Sequence, residues 1–360
     1  MWEANGGTVT MAKTIVGLEI TEESVRAVEV TAGRRPVLVA SGEIALPPGA
    51  AKDSEVLDQD AVALALRQLW SRAGFRSRRV VLGIGSRRVL VREFTTQAMR
   101  PDLLKQSLPF QVQDLLPVPA SQAVLDFLPI AEVDGQISGL LVAAVSETVE
   151  TLLATLEKAQ LRADAVDFAP FGLARAARSI AGADETVAMV HVGDHTSYVV
   201  IVRGGVPLFV RILPIDIPTA ASALHDAAAD VDAALAEIFE TVPPGPRVRL
   251  GAGADGEPLA PVPAAASDLA ARVRSTLSFY AGRAEAPSVD RVLLSGAGAA
   301  SPGVQDALDD ALEIEVAPVS AADVMPREDA AAAVAASGSV PEGDAGRDFV
   351  STLGLVLGAA

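Results

Sequence analysis

Hydrophobic and polar positions along this chain fall into one pattern twice over. Thr14 to Ile20 reads as a buried strand, Thr21-Glu22-Glu23-Ser24 breaks it, Val25 to Val30 runs apolar, Gly33-Arg34-Arg35 turns, and Val37 to Ile44 completes three strands. The same pattern returns as Ala188 to Val192, a turn at Gly193-Asp194-His195-Thr196, Ser197 to Val202, a turn at Arg203-Gly204-Gly205, and Val206 to Leu213. A three-strand meander repeated at this distance predicts two similar α/β lobes facing each other across a cleft, each copy's first turn pointing into it.

The segments between and after the copies fill in the plan. Asp60 to Ala73 has helical spacing with Val62, Leu66, Leu69 and Trp70 on one face, and Arg78 to Ile84 is a short buried strand, closing a first lobe over residues 13–86. A different unit follows: a strand at Arg88 to Phe94, a helix from Pro101 to Leu115, a hairpin of Val124 to Val133 and Gln136 to Val145 around Asp134-Gly135, and a helix from Thr148 to Ala159. Together they predict an inserted α+β subdomain over 87–165. Residues 166–185, with a small-residue helix at Phe168 to Ala181, read as an interlobe helix returning to the first lobe.

Residues 186–360 then form the second lobe, with helices predicted at Pro218 to Phe239, Ser267 to Tyr280 and Val304 to Leu312 and a strand at Arg291 to Leu294. Gly251 to Ala264 reads as a loop, the Ala/Gly/acidic stretch 327–347 as a mobile loop, and Val350 to Leu357 as apolar enough to pack back on the second lobe. Met1 to Thr10 lacks periodicity, so 1–12 is expected to be a disordered leader, or Met11 the natural start.

Composition narrows the chemistry. The 360 residues carry a formal net charge of −17, which argues against a nucleic-acid or anionic-membrane surface. No apolar run reaches the roughly 20 residues of a membrane span, and no secretory signal opens the chain, so a cytoplasmic location is expected. The absence of cysteine excludes disulfides and thiolate chemistry, and three histidines leave little for a metal site.

Three turns then converge as one candidate site. Turns joining two strands present consecutive N–H groups that bind phosphate oxygens, and the glycine turn Ser295 to Gly303 before a helix lets a base or ribose approach the backbone. Phosphate transfer with Mg²⁺ calls for carboxylates at the ends of both first strands. Here the first offers Glu19 and the second His191, a poor ligand for a hard cation, while Glu22 and Glu23 set like charge against a triphosphate. Asp194 serves equally as a metal-water ligand or as an Asx-turn residue. No lysine follows Lys158, and Ser295, Asp194 and His195 lack a nucleophile-elbow context.

Several stretches carry a resemblance to a known family: Val16-Gly17-Leu18-Glu19-Ile20 through Val25-Arg26-Ala27-Val28-Glu29, Leu108 to Pro117 with Leu125-Asp126-Phe127, Leu141 to Val145, and Val292 to Gly303. The chain resembles the PilM family of type IV pilus assembly proteins, within the actin-like ATPase superfamily, over about Lys13 to Gly358. The resemblance implies a duplicated, actin-like (ribonuclease H-like) two-lobed fold whose inserted subdomain is similar to that of the cell-division protein FtsA. The groove beside that insertion would hold the cytoplasmic N-terminus of PilN, a single-pass membrane protein, making the chain a scaffold recruited to the inner face of the membrane without inserting into it.

On these positions the family's first phosphate turn falls on Glu19, Thr21, Glu22, Glu23 and Arg26, next to Gly17, with its usual Asp, Gly, Ser-Ser and Lys replaced by Glu, Thr, Glu-Glu and Arg. Its second falls on His191, Gly193, Asp194 and Thr196, and its base-side turn on Gly296, Ala297 and Gly298. Its Ala-Glu-x-x-Lys element has a partial counterpart at 236–240, where Glu240 replaces the lysine. ATP with Mg²⁺ is the implied cofactor, and Glu22, Glu23 and His191 argue against it. No catalytic residue and no metal site is assigned. Leu104, Leu108 and Phe110 on the insertion's helix are the candidate wall for the partner peptide, or equally that insertion's own core. Two other readings stay open: an active ATPase using Glu19 and Asp194, and an FtsA-like division protein, which would want an amphipathic membrane helix after a linker.

Overall fold

The computed structural model describes residues 13–33, 35–219, 221–223, 262–284, 286–325 and 343–357. In chain order the first part runs β1 (Thr14–Ile20), β2 (Ser24–Thr31), β3 (Leu38–Ala45), the short pair β4 (Ala51–Lys52) and β5 (Glu55–Val56), α1 (Gln59–Ala73) and β6 (Arg79–Ile84). Next come β7 (Leu90–Gln97), α2 (Pro101–Gln111), β8 (Ala123–Val133), β9 (Gln136–Val145), α3 (Ser146–Lys158), β10 (Arg162–Phe168) and α4 (Ala169–Ala177). The last part holds β11 (Thr186–Val192), β12 (Thr196–Arg203), β13 (Val206–Pro214), α5 (Val262–Ala281), β14 (Arg291–Ser295), α6 (Val304–Ala311), β15 (Val316–Pro318), α7 (Ala321–Val324), α8 (Gly343–Arg347) and α9 (Phe349–Val356).

Local chemistry explains the boundaries. α1 starts where the Asp58 carboxylate accepts from the N–H groups of Asp60 and Ala61, and ends at Gly74 in the left-handed conformation, φ 69°. The β8–β9 turn puts Asp134 at φ 51° and Gly135 at φ 74°, the paired left-handed conformation of a tight hairpin.

The duplication is literal in the sheets. The first has the order β10-β6-β1-β2-β3 and the second, read from its other edge, β15-β14-β11-β12-β13. Each sheet buries one face under its own helices: Val16, Leu18 and Val80 pack with Leu66 and Leu69 of α1 and Leu156 of α3, and Val190, Ile201 and Leu294 pack with Leu269 and Val273 of α5 and Leu308 of α6. Between the lobes lies a third core, in which Leu173 of α4 and Val350 and Leu353 of α9 are fully or almost fully buried with Val28, Met189 and Val200.

Several expectations need correction. α3 packs into the first lobe's core through Leu152 and Leu156, and β10 is a strand of the first sheet, paired with β6 from Arg162 to Phe168. The insertion proper is therefore β7 to β9, and it ends before the expected 165. α4 leaves the first sheet's edge strand and lies between the lobes, burying Leu173 and Ala177 against the second sheet while touching β6 and β10 of the first and packing along α9. α9 does the reverse. It lies mainly on β1, β2 and β6 of the first lobe, with a smaller contact to α7 of the second, because Gly17 has no side chain to obstruct it: a Cβ there would stand 2.5 Å from the Thr352 carbonyl oxygen. The predicted helix Pro101 to Leu115 stops at Gln111, and a separate 3₁₀ turn covers Gln113–Leu115. α8 occupies the end of the stretch expected as a mobile loop, whereas 1–12, the helix expected at 224–239, the 236–240 element, 251–261 and 327–342 lie outside the described residues. Among the described residues, no helix is long and apolar enough to cross a membrane.

Candidate functional site

Of the recesses in the molecule, two bear on the expected site. The first is the interlobe cleft, about 550 Å³ of open space lined by Glu19, Thr21, Glu22, Arg26, His191, Gly193, Asp194 and Thr196 among others. The structure thus brings the two expected phosphate turns face to face. It leaves out Gly17, which lies under α9, and Gly296, Ala297 and Gly298. Those two glycines serve packing: a Cβ on Gly296 would stand 2.3 Å from the Val192 carbonyl oxygen, and one on Gly298 would stand 2.5 Å from the Val192 side chain. α8 closes this turn, since Gly296 donates to the Arg347 carbonyl at 3.0 Å and Arg347 donates to that of Ala299 at 3.0 Å.

Most polar groups of the cleft are engaged with one another. Glu19 accepts from the hydroxyls of Ser351, at 2.7 Å, and Thr352 of α9. Thr21 closes its own turn, accepting from the Ser24 N–H at 3.0 Å. Arg26 is buried against Asp348, 3.1 Å away, and Glu43, 3.4 Å away. Burial opposes its charge, but Asp348, Glu43, Glu19 and Asp194 outweigh that and hold its pKa above the ordinary arginine value. Burial pushes the Asp348 carboxyl up to about 6 against the pull of Arg26.

His191 is buried beside the Ser295 hydroxyl, 3.1 Å from Nδ1, and is stacked on Tyr198; burial first, and Arg26 second, lower its pKa to about 3, so it stays neutral. Asp194 accepts from the Thr219 hydroxyl, and its carbonyl accepts from the Ile217 N–H at 2.7 Å.

Three ties cross between the lobes inside this cleft. His195 reaches Glu23 of the first turn with Nε2, at 2.8 Å, while its Nδ1 meets Asp216 at 2.9 Å. The hydrogen bond to Glu23, opposed by partial burial and aided by Asp216 and Glu22, raises the imidazole pKa to about 9, so both ring nitrogens donate at neutral pH. Tyr198 donates to the carbonyl of Gly85, and Arg87 donates to that of His195 at 3.5 Å. Sequence reasoning missed this clasp, although one signal was present: a histidine in the second turn stands opposite the paired acids of the first.

The carboxylates of Glu22 and Glu23 face the second turn, the side chain bridging the two turns is His195, and Glu19 is held by two hydroxyls. Among the described residues no group of three His, Cys, Asp or Glu side chains is placed to hold a metal ion.

The second recess, about 560 Å³, opens between the insertion and the first lobe. β8 is the edge strand of the β7-β9-β8 sheet and β10 the edge of the first sheet, and both line it. Alternation along β8 turns Val124, Asp126 and Leu128 into the groove, beside Val142 and Ala144 of β9. Opposite stand Val166, Asp167 and Phe168 of β10 and Phe171 of α4, the two rings edge to face at 5.2 Å. Val124 is 48% exposed.

The residues expected to wall a peptide groove sit elsewhere. Leu104 and Leu108 are buried with Val112 and Leu141, against Leu125 and Phe127 on the opposite face of the same sheet, so they form the insertion's own core. Phe110 is 83% exposed on α2. The alternation of β8 was readable from sequence; its pairing across a gap with β10 was not, because β10 itself was missed.

A family model described as type IV pilus assembly protein PilM matches residues 17–214. Among solved structures, the PilM-PilN type IV pilus biogenesis complex superposes with a TM-score of 0.74 at 23% identity, covering 95% of this chain and 97% of that one. Ethanolamine utilization protein EutJ from Carboxydothermus hydrogenoformans gives a TM-score of 0.51 at 14% identity, over 96% of this chain and 89% of that one. The archaeal actin homologue Ta0583 gives 0.40 at 13% identity, over 96% and 99%. A search of curated protein sequences found no match. The duplicated two-lobed α/β architecture is the actin-like fold expected from the sequence.

Proposed function

This chain belongs to the family of type IV pilus assembly protein PilM, and from that premise we propose that it acts as a scaffold whose groove between β8 and β10 holds the N-terminal cytoplasmic peptide of a PilN-like membrane protein. The structural relative named for its complex with PilN suggests the partner. The observation that carries the reading is the groove itself: two edge strands with unpaired backbone groups flank an apolar floor of Leu128, Val142, Phe168 and Phe171. An extended peptide fits by adding its backbone to one edge and setting alternate apolar side chains into the floor. Such a partner would recruit the chain from the cytoplasm to the inner face of the membrane and into the pilus platform.

The cleft, in this reading, is a structural joint and not a catalytic one. The His195 clasp and the inward-facing acids take the place of phosphate, so the lobes stay closed without ATP. Calorimetry of the full chain against a peptide from the N-terminus of the neighbouring membrane component, with and without ATP, tests both halves. Saturable binding unaffected by nucleotide is expected; no binding in either condition overturns the scaffold. Magnesium-dependent ATP turnover that falls on Glu19→Gln would replace the joint with the active-ATPase reading.

A further inference from the structure

The net charge of −17 is unevenly distributed. β1 and β6 run parallel, β10 runs parallel to β6, and Thr31 at the end of β2 pairs with Thr14 at the start of β1. The segments entering these strands therefore meet at one end of the first sheet, opposite the end that carries the cleft. Lys13 precedes β1, Arg35 lies in the β2–β3 turn, Arg72 is in the last turn of α1, Arg76 and Arg78 lie between α1 and β6, and Arg162 opens β10. All six are exposed.

Neighbouring acids do not neutralise them. Asp164 is paired with Arg79 at 2.8 Å, and Asp60 with Lys158 at 2.9 Å. Glu29 is buried and turned inward, where it accepts from the Arg76 and Ser77 N–H groups at 2.9 and 3.1 Å. Glu157, on the last turn of α3, is exposed beside Lys158. Among the described residues, none of the six cations forms an ion pair.

We propose that this basic pole of the first lobe docks on an anionic lipid bilayer. The cations lie along the starts of strands in a sheet and not around a pocket, which suits a broad charged plane better than a single ligand. The aromatic side chains of this region, Trp70 and Phe75, are buried, so nothing here offers bases a stacking platform. The negative charge carried by the rest of the chain repels the same bilayer, leaving one favourable orientation.

The choice of occupant rests on the proposed membrane role. β10 connects the two features, with Arg162 at the pole and Val166 to Phe168 in the groove. Its length, about 3.3 Å per residue, puts the groove on the order of 20 Å from the lipid, a span that a tail of about six extended residues covers.

The test is co-sedimentation of the full chain at low salt with phosphatidylglycerol/phosphatidylcholine vesicles and with pure phosphatidylcholine vesicles, with the peptide calorimetry run on the same preparation. Binding to the anionic vesicles alone is expected. It should fall about fivefold for each cation removed, roughly 100-fold in an Arg72→Gln, Arg76→Gln, Arg78→Gln triple variant, and disappear when salt shortens screening to a few ångströms. No sedimentation with anionic vesicles, or sedimentation unchanged in a triple variant with a wild-type unfolding midpoint, overturns the proposal. So does duplex DNA that binds more tightly and strips the protein from the vesicles. Peptide binding without lipid binding defeats the pole and spares the groove; lipid binding without peptide binding defeats the groove and spares the pole.

Discussion

The cleft and the groove are two openings beside the first lobe with opposite chemistry. In the cleft, most carboxylates, arginine, imidazoles and hydroxyls have partners close by on their own side, and His195, Tyr198 and Arg87 reach across to the other lobe. In the groove, apolar side chains and two strand edges face an opening. A recess whose polar groups are mutually satisfied has little to offer a ligand, because each new contact must replace one already made. A recess with uncovered apolar area and unpaired backbone gains from being filled. In the proposed reading, that difference separates a recess that holds the protein together from one that holds a partner.

The broadest way to break the comparison is to disturb the floor beneath both recesses. α4 supplies Phe171 to the groove, α9 supplies Ser351 to the cleft, and the helices touch where a Cβ on Gly354 would stand 1.9 Å from the Gly172 carbonyl oxygen. Gly354→Val is expected to cost about 3 kcal/mol or more in denaturant unfolding and to take peptide binding with it.

Disturbing the cleft alone comes next. Arg26→Met leaves the largely buried Asp348, and with it the more exposed Glu43, without their cation and should cost about 3 kcal/mol, while the protein that remains folded binds peptide with unchanged affinity. Altered peptide affinity would mean that the two recesses are coupled.

Disturbing the groove alone is milder for the fold. Val124→Asp puts a charge on a half-exposed wall, so stability should move by less than about 0.5 kcal/mol while peptide affinity falls about tenfold, 1.4 kcal/mol. Unchanged affinity would remove β8 from the binding site.

The smallest effect is the pH dependence of the clasp. The folded pKa of His195, about 9, lies above its ordinary value of 6.5, so folding favours the protonated ring. Its stabilisation is fully present below about pH 6.5 and is lost as pH rises through about 9. The stability difference between wild type and His195→Ala, on the order of 1 kcal/mol, should be constant at mildly acidic pH and vanish on the alkaline side. A difference that grows with pH would show that the ring is neutral in the folded protein.

Much of this was readable before any coordinates. The twin meanders came from apolar runs punctuated by turn residues, and the observed strands β1 to β3 and β11 to β13 follow them within two residues at each end. Asp134-Gly135 announced its hairpin because few other residues accept two left-handed conformations in succession. These are local properties, set by neighbours along the chain or by side-chain type, and a sequence states them directly.

What depended on the meeting of distant segments did not show. Val350 to Leu357 is apolar enough to pack on either lobe, and the choice fell to Gly17 and Glu19, more than three hundred residues away, which give α9 a flat bed and two hydroxyl contacts. Leu104 and Leu108 lie on one stripe of α2, and only the sheet beneath decides that this stripe faces inward. The basic pole is diluted to invisibility in a net charge of −17, because cations at residues 13, 35, 72 and 162 become neighbours only when strands align. Local pattern fixed which elements form; packing between elements decided which faces stay open, since exposure belongs to a surface and no single segment contains one.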